Sequence, residues 1–375
     1  MKKKKLVFIS SSIQFYENFL LKTLIELNKD YDIYLITNLS TQTIKFPNIS
    51  LINLNISRNI SPIQDLLCVF RLLKILYLAK PDMIFSSSPK GLLILSITTL
   101  FYRCRRVHLL TGIIWSGKIN KFKKILFKLI DLILLYSYEK IFVDSPSQIK
   151  FLHKENFYLN KLSLINEGSI QGVDLYVFKK LKNNTAIRKQ LSFQKQNIIL
   201  LFLGRISPEK GIFFFLDLIK NMKKKNSNII GLIVGRDEKN IISNYKKNYS
   251  DFNQNFIYFP YSNNPEQFIQ SSDIVIIPSK REGFCQVAIE ASACGIPIVG
   301  FDVIGLEDSI SNDLSGYLVP YGDKETLEKK TKYLIDNPDI RKKMGREGII
   351  RVQKKFDQQK AVRGFVNQIS SAING

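Results

Sequence analysis

Two carboxylates, Glu282 and Glu290, lie eight residues apart around the predicted N-terminus of a helix that runs from Phe284 to Gly295. The free main-chain N–H groups and the positive dipole end of such a helix attract a diphosphate, and Gly283 lets it approach without meeting a Cβ atom. Glu282 precedes the helix and is placed to reach a sugar hydroxyl. Glu290 lies among apolar residues, where a carboxylate needs hydrogen bonds such as those from two ribose hydroxyls. This spacing indicates a site for a nucleotide sugar.

The same spacing of glutamates arises by chance in many proteins, so the interpretation depends on its surroundings. The segment 273–279 is a short β-branched run closed by proline, and 296–301 is a second apolar run. Both are typical of buried strands. The order strand, loop, helix, strand is one turn of a parallel α/β sheet, in which ligands bind at the carboxyl ends of the strands. We therefore expect Glu282 to lie at that edge of a sheet.

A second charged loop follows the predicted strand Ile198–Leu203. It contains Gly204, Arg205 and Lys210, and it would project from the carboxyl edge of the sheet into the same crevice as Glu282. Arg205 offers a fork of donors to a diphosphate and Lys210 offers a point charge, so both could neutralise a diphosphate as it departs. The alternative is a pair of solvated loop charges.

A nucleotide-triphosphate site is a rival interpretation of another segment. Residues 112–118 have the pattern G-x-x-x-x-G-K after the apolar run Val107–Leu110, but Ile119 stands where a Ser or Thr must hold magnesium. The run Ile141–Asp144 resembles a Walker B strand, although hydrophobic strands that end in Asp are common. The start of the chain has no G-x-G-x-x-G motif. These patterns disfavour P-loop chemistry and nicotinamide or flavin enzymes.

The length and composition are those of a globular protein with two domains. The chain has 375 residues, of which 45% are hydrophobic, and this length exceeds one ordinary core. The uncharged stretch Gly91–Tyr102 is about half of the roughly 20 residues that span a bilayer. The lysines at 2–5 lead into a predicted strand at Leu6–Ile9 rather than into the long apolar region of a signal peptide. We expect no transmembrane helix.

The cysteines and histidines are too few and too scattered for a zinc site or a disulfide framework, since the chain has four and two of them. Cys68, Cys285 and Cys294 lie in apolar contexts and are interpreted as small core residues. His108 lies inside a predicted strand and is interpreted as structural. His153, on a predicted exposed helix, is interpreted as inert. Neither a metal nor a cofactor is expected.

The net charge of +23 indicates an acidic partner, either nucleic acid or anionic lipid. Residues 1–182 contain 27 basic and 12 acidic side chains, so +15 of the excess lies in the first half. An AT-rich genome is the alternative explanation, because 42 of the 55 basic residues are lysine. The aromatic residues lie mostly in apolar periods rather than between Lys and Arg on one surface, which disfavours nucleic acid.

Alternating strand and helix patterns run through both halves of the chain and predict an α/β fold with two doubly wound domains. In the first half the predicted strands are 6–9, 31–36 and 83–86, and the predicted helices are 16–27 and 62–79. In the second half the predicted strands are 198–203, 229–234, 256–259, 274–277 and 296–300, and a last helix is predicted over 356–373. The polar join at 179–196 places the domain boundary between residues 182 and 183.

Several of these motifs together resemble a known family. Gly204-Arg205 with Lys210-Gly211, the run Arg281–Phe284 through Glu290-Ala291, and Cys294–Pro297 resemble the motifs of family 4 of the retaining GT-B glycosyltransferases. The segments 88–91, 111–112 and 168–178 are similar to the capsule and O-antigen branch of that family, so the resemblance covers nearly the whole chain.

The resemblance implies a GT-B fold, in which two Rossmann-like domains face a central crevice. Residues 1–182 would bind an acceptor and residues 183–355 a nucleotide-sugar donor. The helix at about 356–375 would pack back on the first domain.

The family pattern maps Arg205 and Lys210 onto the diphosphate, Glu282 onto the transferred sugar, and Glu290 onto the ribose. It also implies donor contacts at Gly204, Gly283, Phe284, Cys285 and Val287, and acceptor contacts in the first domain at Ser11, Lys90, Thr111 and Gly112. The chain departs from the family in the loop at residues 10–12, where serines replace the glycines of many members.

The residues and the resemblance together predict a retaining glycosyltransferase. It would move a hexose or N-acetylhexosamine from a UDP-sugar to a polyprenyl-diphosphate-linked saccharide in bacterial surface polysaccharide synthesis. In the mechanism that the family is thought to use, the departing phosphate oxygen takes the acceptor proton and no metal is required. The alternatives are a UDP-sugar 2-epimerase on the same scaffold and a basic nucleic-acid-binding protein.

An interfacial helix is predicted in the first half. The segment 118–130 places five large apolar residues at helical spacing, with lysines on the other faces. Lys121, Lys123 and Lys124 would then contact an anionic membrane surface. A core helix with solvated lysines explains the same pattern. We expect a cytoplasmic enzyme bound peripherally to the inner face of the cell membrane.

Overall fold

A computed structural model describes residues 3–40, 44–57, 61–117, 119–157, 160–181, 186–249 and 252–374. The chain divides into two compact units. The first unit combines residues 1–171 with residues 359–375, and the second unit comprises residues 172–358. The predicted boundary between residues 182 and 183 falls outside the described residues.

The chain passes from one unit to the other about eleven residues before the predicted boundary, because the segment after Gly172 packs with the second unit. The N–H of Val173 donates to the Phe356 carbonyl (2.7 Å), and Val173 is buried in a small apolar cluster with Phe356 and Ile289. The polar composition that suggested a join at 179–196 begins only after this attachment.

The first unit contains a seven-stranded parallel sheet in the order β3-β2-β1-β4-β5-β6-β7. Its strands are β1 (Lys4–Ile9), β2 (Tyr31–Thr37), β3 (Ser50–Asn53), β4 (Met83–Ser86), β5 (Arg105–Leu110), β6 (Lys140–Val143) and β7 (Leu162–Leu164). The central strands are short continuous apolar runs, as expected for strands that helices cover on both faces.

Helices cover both faces of this sheet. They are α1 (Ile13–Phe15), α2 (Leu21–Leu27), α3 (Pro62–Ala79), α4 (Pro89–Thr98), α5 (Lys121–Tyr136) and α6 (Pro146–Lys154), and a π-helical turn at Tyr16–Leu20 joins α1 to α2. α3, α4 and α5 pack on the face that contains Val7 and Ile9. α2 packs on the opposite face, which contains Leu6 and Phe8.

The second unit contains a six-stranded parallel sheet in the order β10-β9-β8-β11-β12-β13. Its strands are β8 (Ile198–Leu203), β9 (Ile229–Val234), β10 (Phe256–Phe259), β11 (Ile274–Ile277), β12 (Ile298–Asp302) and β13 (Gly316–Pro320). Its helices are α7 (Ala186–Gln190), α8 (Ile212–Lys225), α9 (Ile241–Asn248), α10 (Phe252–Asn255), α11 (Pro265–Ser271), α12 (Gln286–Ala293), α13 (Leu306–Ser309), α14 (Lys324–Asp336) and α15 (Pro338–Lys355). Both sheets therefore have the doubly wound strand order of a Rossmann fold.

The last helix, α16 (Gln358–Asn374), returns to the first unit. Its buried Phe365 lies edge-on to Phe142 of β6, with ring centroids 5.4 Å apart, and Ile369 and Ile373 are buried in the same cluster. The side chain of Gln368 donates to the Leu164 carbonyl of β7 (2.9 Å). The predicted return of this helix to the first domain is confirmed.

None of the described helices is long and apolar enough to cross a bilayer. The four cysteines are free thiols, and Cys68, Cys285 and Cys294 are buried as predicted.

Candidate donor-binding site

The strand order reverses between β8 and β11 of the second unit. From β8 the chain continues to β9 and β10 on one side, and from β11 it continues to β12 and β13 on the other. In doubly wound sheets, ligands bind at this position, in the crevice outside the carboxyl ends of the two strands. The loop after β8 contains Arg205 and Lys210, and the loop after β11 contains Glu282. The residues predicted from two distant motifs thus meet at one sheet edge.

A main-chain hydrogen bond and an ion pair connect the two loops. The N–H of Lys280 donates to the Glu209 carbonyl (2.8 Å), and the Arg281 guanidinium lies 3.3 Å from a Glu209 carboxylate oxygen. Gly211 has a φ of +78°, and a Cβ atom there would lie 1.8 Å from the Pro278 carbonyl oxygen. Only glycine accepts both this conformation and this approach, so the loops can close on each other.

Lys210 and Glu282 form an ion pair in this position. The ammonium nitrogen lies 2.7 Å from Oε1 and 2.8 Å from Oε2 of Glu282. The side chain of Glu282 is 8% exposed and that of Lys210 29%. Burial disfavours the charge on Lys210, but the Glu282 carboxylate outweighs burial and raises the pKa of Lys210 above its ordinary value. Lys210 is therefore a cation at neutral pH.

Arg205 adds a second cation to the site. Its side chain is exposed, forms no ion pair with any described residue, and lies close enough to Lys210 to oppose the charge there and lower its pKa. Two cations beside a single carboxylate leave an excess of positive charge. Such an arrangement suits an anion with several oxygens, for which Arg supplies paired donors and Lys a point charge.

Helix α12 points its N-terminus at the same edge of the sheet. It begins at Gln286 rather than at the predicted Phe284, because Cys285 has an extended conformation (φ −85°, ψ 96°) and serves as the N-cap without a side-chain cap bond. The first N–H groups of a helix have no acceptor within it, and they carry the positive end of its dipole. The positive end of this dipole therefore lies at the same edge of the sheet as the two cations.

Helix α12 ends at Ala293, two residues before the predicted Gly295, and Gly295 follows its C-cap, Cys294. The N–H of Ile296 donates to the Ala291 carbonyl (2.9 Å) and that of Gly295 to the Ser292 carbonyl (3.0 Å), the paired bonds of a Schellman motif. Ile296 is thereby occupied in the cap, and Pro297 has no N–H to donate to a sheet. For this reason β12 starts at Ile298 and not at the predicted Ile296.

Glu290 lies in the second turn of α12, on the helix that faces the site. Burial raises the pKa of its carboxyl group to about 7, and the nearby Glu266 carboxylate adds to this effect. The Gln286 side chain donates to Glu290, which opposes the rise, and it also donates to the Gly172 carbonyl (2.7 Å). Hydrogen bonds donated by a ligand would favour the charged form of this carboxyl group. Glu290 can therefore serve as their acceptor.

The side chains next to the motif belong to the core. The ring of Phe284 packs on that of Phe356, with centroids 5.4 Å apart, and Val287 packs against the apolar cluster beneath the sheet. The Cys285 thiol is buried, and burial raises its pKa well above the ordinary range, so it stays neutral. These residues would contact a ligand through the main chain rather than through their side chains.

Gly305 supports the Glu282 loop, and the sequence interpretation did not include it. A Cβ atom at Gly305 would lie 2.0 Å from the Gly283 carbonyl oxygen and 2.9 Å from that of Glu282. Its φ of +79° is also one that L-residues rarely adopt. The signal in the sequence was a glycine shortly after the predicted strand that ends at Gly300. Ser207, whose Oγ accepts from Lys210 N–H (3.3 Å), was likewise missed.

The candidate acceptor residues lie at the corresponding edge of the first sheet. Ser11 follows β1 and Lys90 follows the neighbouring β4, and the N–H of Ser11 donates to Ser88 Oγ (3.1 Å). Lys90 forms an ion pair with Asp65, 2.5 Å away, so its charge is already balanced. Thr111 and Gly112 follow β5 at the same edge.

The surroundings of His108 are those of a structural residue. It is buried in β5, its Nδ1 lies 2.7 Å from Ser86 Oγ, and burial lowers its pKa to about 3. His153 is exposed on α6. In the P-loop-like segment, Trp115 is buried in a short 3₁₀ helix at Ile114–Ser116, while Lys118 falls outside the described residues.

Among the described residues, no three His, Cys, Asp or Glu side chains come together as a metal site requires. On helix α5, Lys124 lies 2.5 Å from Glu155, and Lys128 lies 3.2 Å from the same carboxylate. Lys121 and Lys123 are exposed and have no ion-pair partner among the described residues.

Comparison with known proteins gives two kinds of match to this fold and site. Residues 183–351 match the family described as Glycosyl transferases group 1. The chain is 26% identical over 334 residues to the capsular polysaccharide biosynthesis glycosyltransferase CapM of Staphylococcus aureus, covering 88% of this chain and 87% of that protein. It is 23% identical to the UDP-Gal:alpha-D-GlcNAc-diphosphoundecaprenol alpha-1,3-galactosyltransferase of Escherichia coli, covering 82% and 78%.

A solved structure extends the fold match to nearly the whole chain. The Anabaena protein HepE in complex with UDP and glucose superposes with a TM-score of 0.79 at 16% identity, over 98% of this chain and 100% of that one. The predicted fold, two Rossmann-like units of the GT-B class, is confirmed.

Proposed function

Because residues 183–351 are a glycosyl transferase group 1 domain, we propose that the chain transfers a hexose or N-acetylhexosamine from a UDP-sugar to a lipid-linked saccharide. The proposed process is the synthesis of a bacterial surface polysaccharide of the capsule or O-antigen kind. The names of the S. aureus and E. coli relatives support this process and this acceptor class. The UDP complex of the Anabaena protein supports the donor.

The observation that carries the proposal is the ion pair of Lys210 with Glu282 at the point where the strand order reverses, with Arg205 beside it. In the proposed arrangement the diphosphate lies against Arg205, Lys210 and the N-terminus of α12. Glu282 accepts a hydrogen bond from a hydroxyl of the transferred sugar, and Glu290 accepts from the ribose.

In the proposed reaction, the bond between the anomeric carbon and the terminal phosphate oxygen breaks, and its electron pair stays on that oxygen. The acceptor hydroxyl attacks the anomeric carbon from the same face, and its proton passes to the departing phosphate oxygen. The products are UDP and a glycoside of retained configuration. The fixed cations and helix N–H groups stabilise the charge that develops on the phosphate, so no metal ion is needed.

The experiment is an incubation of purified protein with a panel of UDP-sugars, with UDP and sugar products separated by chromatography. We expect UDP to be released from one donor, faster when a polyprenyl-diphosphate saccharide is added, and the release to fall steeply in the Lys210→Ala variant. Lys329→Ala, which alters an exposed lysine on α14, is the matched control. Conversion of the donor into its C2 epimer without acceptor, or no turnover of any UDP-sugar, would contradict the proposal.

A further inference from the structure

Helix α3 presents a row of large apolar side chains to solvent. The row consists of Ile63, Leu66, Leu67, Phe70, Tyr77 and Leu78, each more than half exposed, and Ile63 is 81% exposed. At 100° per residue these positions lie on one side of the helix, opposite the buried side formed by Val69, Leu72 and Leu76. Packing in the core of the first unit therefore explains the apolar residues on the buried side of α3, but not those on its exposed side.

Helix α5 presents a second row with nearly the same spacing. Its members are Phe122, Ile125, Leu126, Leu129, Ile133 and Tyr136, and all are exposed, with Phe122 at 74%. Each position of this row lies 59 residues after a position on the outward side of α3, and where α5 has Ile133, α3 has Lys74. The sequence predicted a helix over 62–79, but singled out only the α5 segment as interfacial.

Both rows belong to one layer of helices. α3 packs against α4, and α4 packs against α5, and the buried sides of all three helices contribute to a single core on one face of the first sheet. Leu100 and Phe101, which follow the C-cap of α4, are also exposed. The outer surface of this layer is thus apolar on both flanks. Soluble proteins seldom expose an apolar patch of this extent without a partner.

The exposed charges around this surface are positive, and nearby acidic residues do not pair with them. Each acidic residue between positions 61 and 139 is engaged: Asp65 with Lys90, Asp82 with the N–H of Lys5, Asp131 with the Trp115 indole, and Glu139 with Arg105. By contrast, the exposed basic residues of this stretch form no ion pair among the described residues; they are Arg71, Lys74, Lys80, Arg103, Lys121 and Lys123.

The basic residues are placed as interfacial side chains are. Lys121 and Lys123 lie at the two edges of the apolar row on α5. Long basic side chains in such positions reach past the apolar surface and keep their charge in water or among headgroups. Phe70, Tyr77, Phe101 and Tyr136 add aromatic rings at the same surface, and such rings are favoured at the interface between lipid and water.

We propose that the outer faces of α3 and α5 form a single docking surface for an anionic lipid bilayer, with both apolar rows buried at the boundary between headgroups and acyl chains. The charge pattern is what selects a membrane over a second copy of the chain, because two copies would bring unpaired cations against unpaired cations. The surface extends the proposed function, since it would hold the enzyme where a lipid-linked acceptor lies, but the binding itself does not depend on the reaction.

The experiment compares two pairs of exposed apolar residues, each changed to serine. Ile63→Ser with Phe70→Ser alters the α3 row, and Leu314→Ser with Ile350→Ser alters two residues of the second unit that are also more than half exposed. A third variant, Lys121→Ser with Lys123→Ser, removes charge only, with Lys329→Ser and Lys343→Ser as its control. Each protein is sedimented with vesicles of phosphatidylcholine and phosphatidylglycerol, and with vesicles of phosphatidylcholine alone, at low and high salt.

We expect the α3 variant to lose at least tenfold in partitioning to both kinds of vesicle, with the loss persisting at high salt. The α5 lysine variant should lose affinity only for the anionic vesicles and mainly at low salt. Both controls should bind as the unmodified protein does. Circular dichroism and the release of UDP from donor alone should be unchanged in the α3 variant, because its altered residues are exposed and lie outside the donor site.

Equal vesicle binding by the α3 variant and its control would overturn the proposal. A concentration-dependent dimer that this variant dissociates, without vesicle binding by the unmodified protein, would assign the surface to a second copy and would also overturn it. Vesicle binding as expected, in a protein that releases no UDP from any donor, would uphold the surface and contradict the proposed function instead.

Discussion

Lys210 and Glu282 are 72 positions apart in the chain, yet the lysine ammonium contacts both oxygens of the carboxylate. An ammonium group has three donors, and this pair uses two of them. A diphosphate that approaches Lys210 therefore meets a cation already positioned by Glu282, and a sugar hydroxyl that approaches Glu282 meets a carboxylate held in one orientation. The two residues act as a unit, so a change in either one alters the surroundings of the other.

Replacing either residue should abolish most of the activity. We expect Lys210→Ala and Glu282→Ala each to lower turnover by roughly 10²-fold or more, since the loss of one charge-stabilising contact in the transition state typically costs about 3–4 kcal/mol. The double variant should lose little more than the worse single variant, because paired residues are not additive. Turnover at saturating donor is the measurement. Near-normal turnover in both single variants would show that the site is assigned wrongly.

Gly211→Ala should destabilise the second unit and damage the site. The new methyl group would meet the Pro278 carbonyl and push the loop that carries Glu282 out of place. Gly322→Ala is a close control, because Gly322 also has a positive φ, +86°, but has nothing within 4 Å of its Cβ position. The free energy of unfolding should fall by about 1–3 kcal/mol more in Gly211→Ala than in the control. Equal losses would mean that backbone strain alone decides the effect.

The affinity for UDP should rise with pH. Because the pKa of Glu290 is raised to about 7, its carboxyl group is protonated in most molecules below neutral pH. A ribose hydroxyl that donates to it binds more strongly to the charged form. If only that form binds, the dissociation constant for UDP should fall by about tenfold between about pH 6 and about pH 8. Calorimetry at several pH values measures this. Glu290→Gln should bind UDP more weakly and without this pH dependence; unchanged binding would leave Glu290 a structural residue.

The Glu290 carboxyl group should also make the stability of the unliganded protein depend on pH. Its contribution to stability should fall as pH rises, whereas the affinity for UDP should rise. A carboxyl group whose pKa is higher in the folded state binds more protons folded than unfolded, so its contribution to the free energy of unfolding falls as pH rises from about 4.5 to about 7. Without ligand, Glu290→Gln should therefore melt at a higher temperature than the unmodified protein at pH 8, and the difference should shrink at pH 4. Glu325→Gln, an exposed position on α14, should show no such pH-dependent difference in melting temperature.

Activity should persist in excess EDTA. The charge that a metal ion would neutralise is met in the proposed site by Arg205, Lys210 and the N-terminus of α12. UDP release measured with EDTA should equal that measured with magnesium. Complete loss that magnesium or manganese restores would require a different arrangement at the diphosphate.

Several of the predicted elements have bounds that are correct to the residue. The helix Pro62–Ala79 and the strands Met83–Ser86, Ile198–Leu203 and Ile274–Ile277 have the bounds expected from the sequence. Strands at the sheet edges were missed, among them β3 and β13, because an edge strand is covered less and need not be an unbroken apolar run. The shifts at α12 and β12 arise from caps, which depend on the conformation of single residues.

The members of the site could be predicted from their positions after strands, but their contacts could not. That β8 and β11 are neighbours depends on a crossover past β9 and β10, and only this adjacency brings Lys210 to Glu282. Likewise, the spacing of lysines on α5 predicted a basic helix, but not that Glu155, on a different element, pairs with Lys124 and Lys128. Tertiary contacts of this kind have no signal in local periodicity.

The return of α16 to the first unit has a consequence for biosynthesis. Residues 359–375 are synthesised after the whole second unit, yet Phe365, Ile369 and Ile373 are needed to complete the apolar core beside β1 and β6. A ribosome-bound chain can therefore fold its second unit while one face of the first unit still exposes Phe8 and Phe142. During that interval the first unit has an uncovered apolar surface, and chaperones that bind such surfaces should be found on the nascent chain until α16 has emerged.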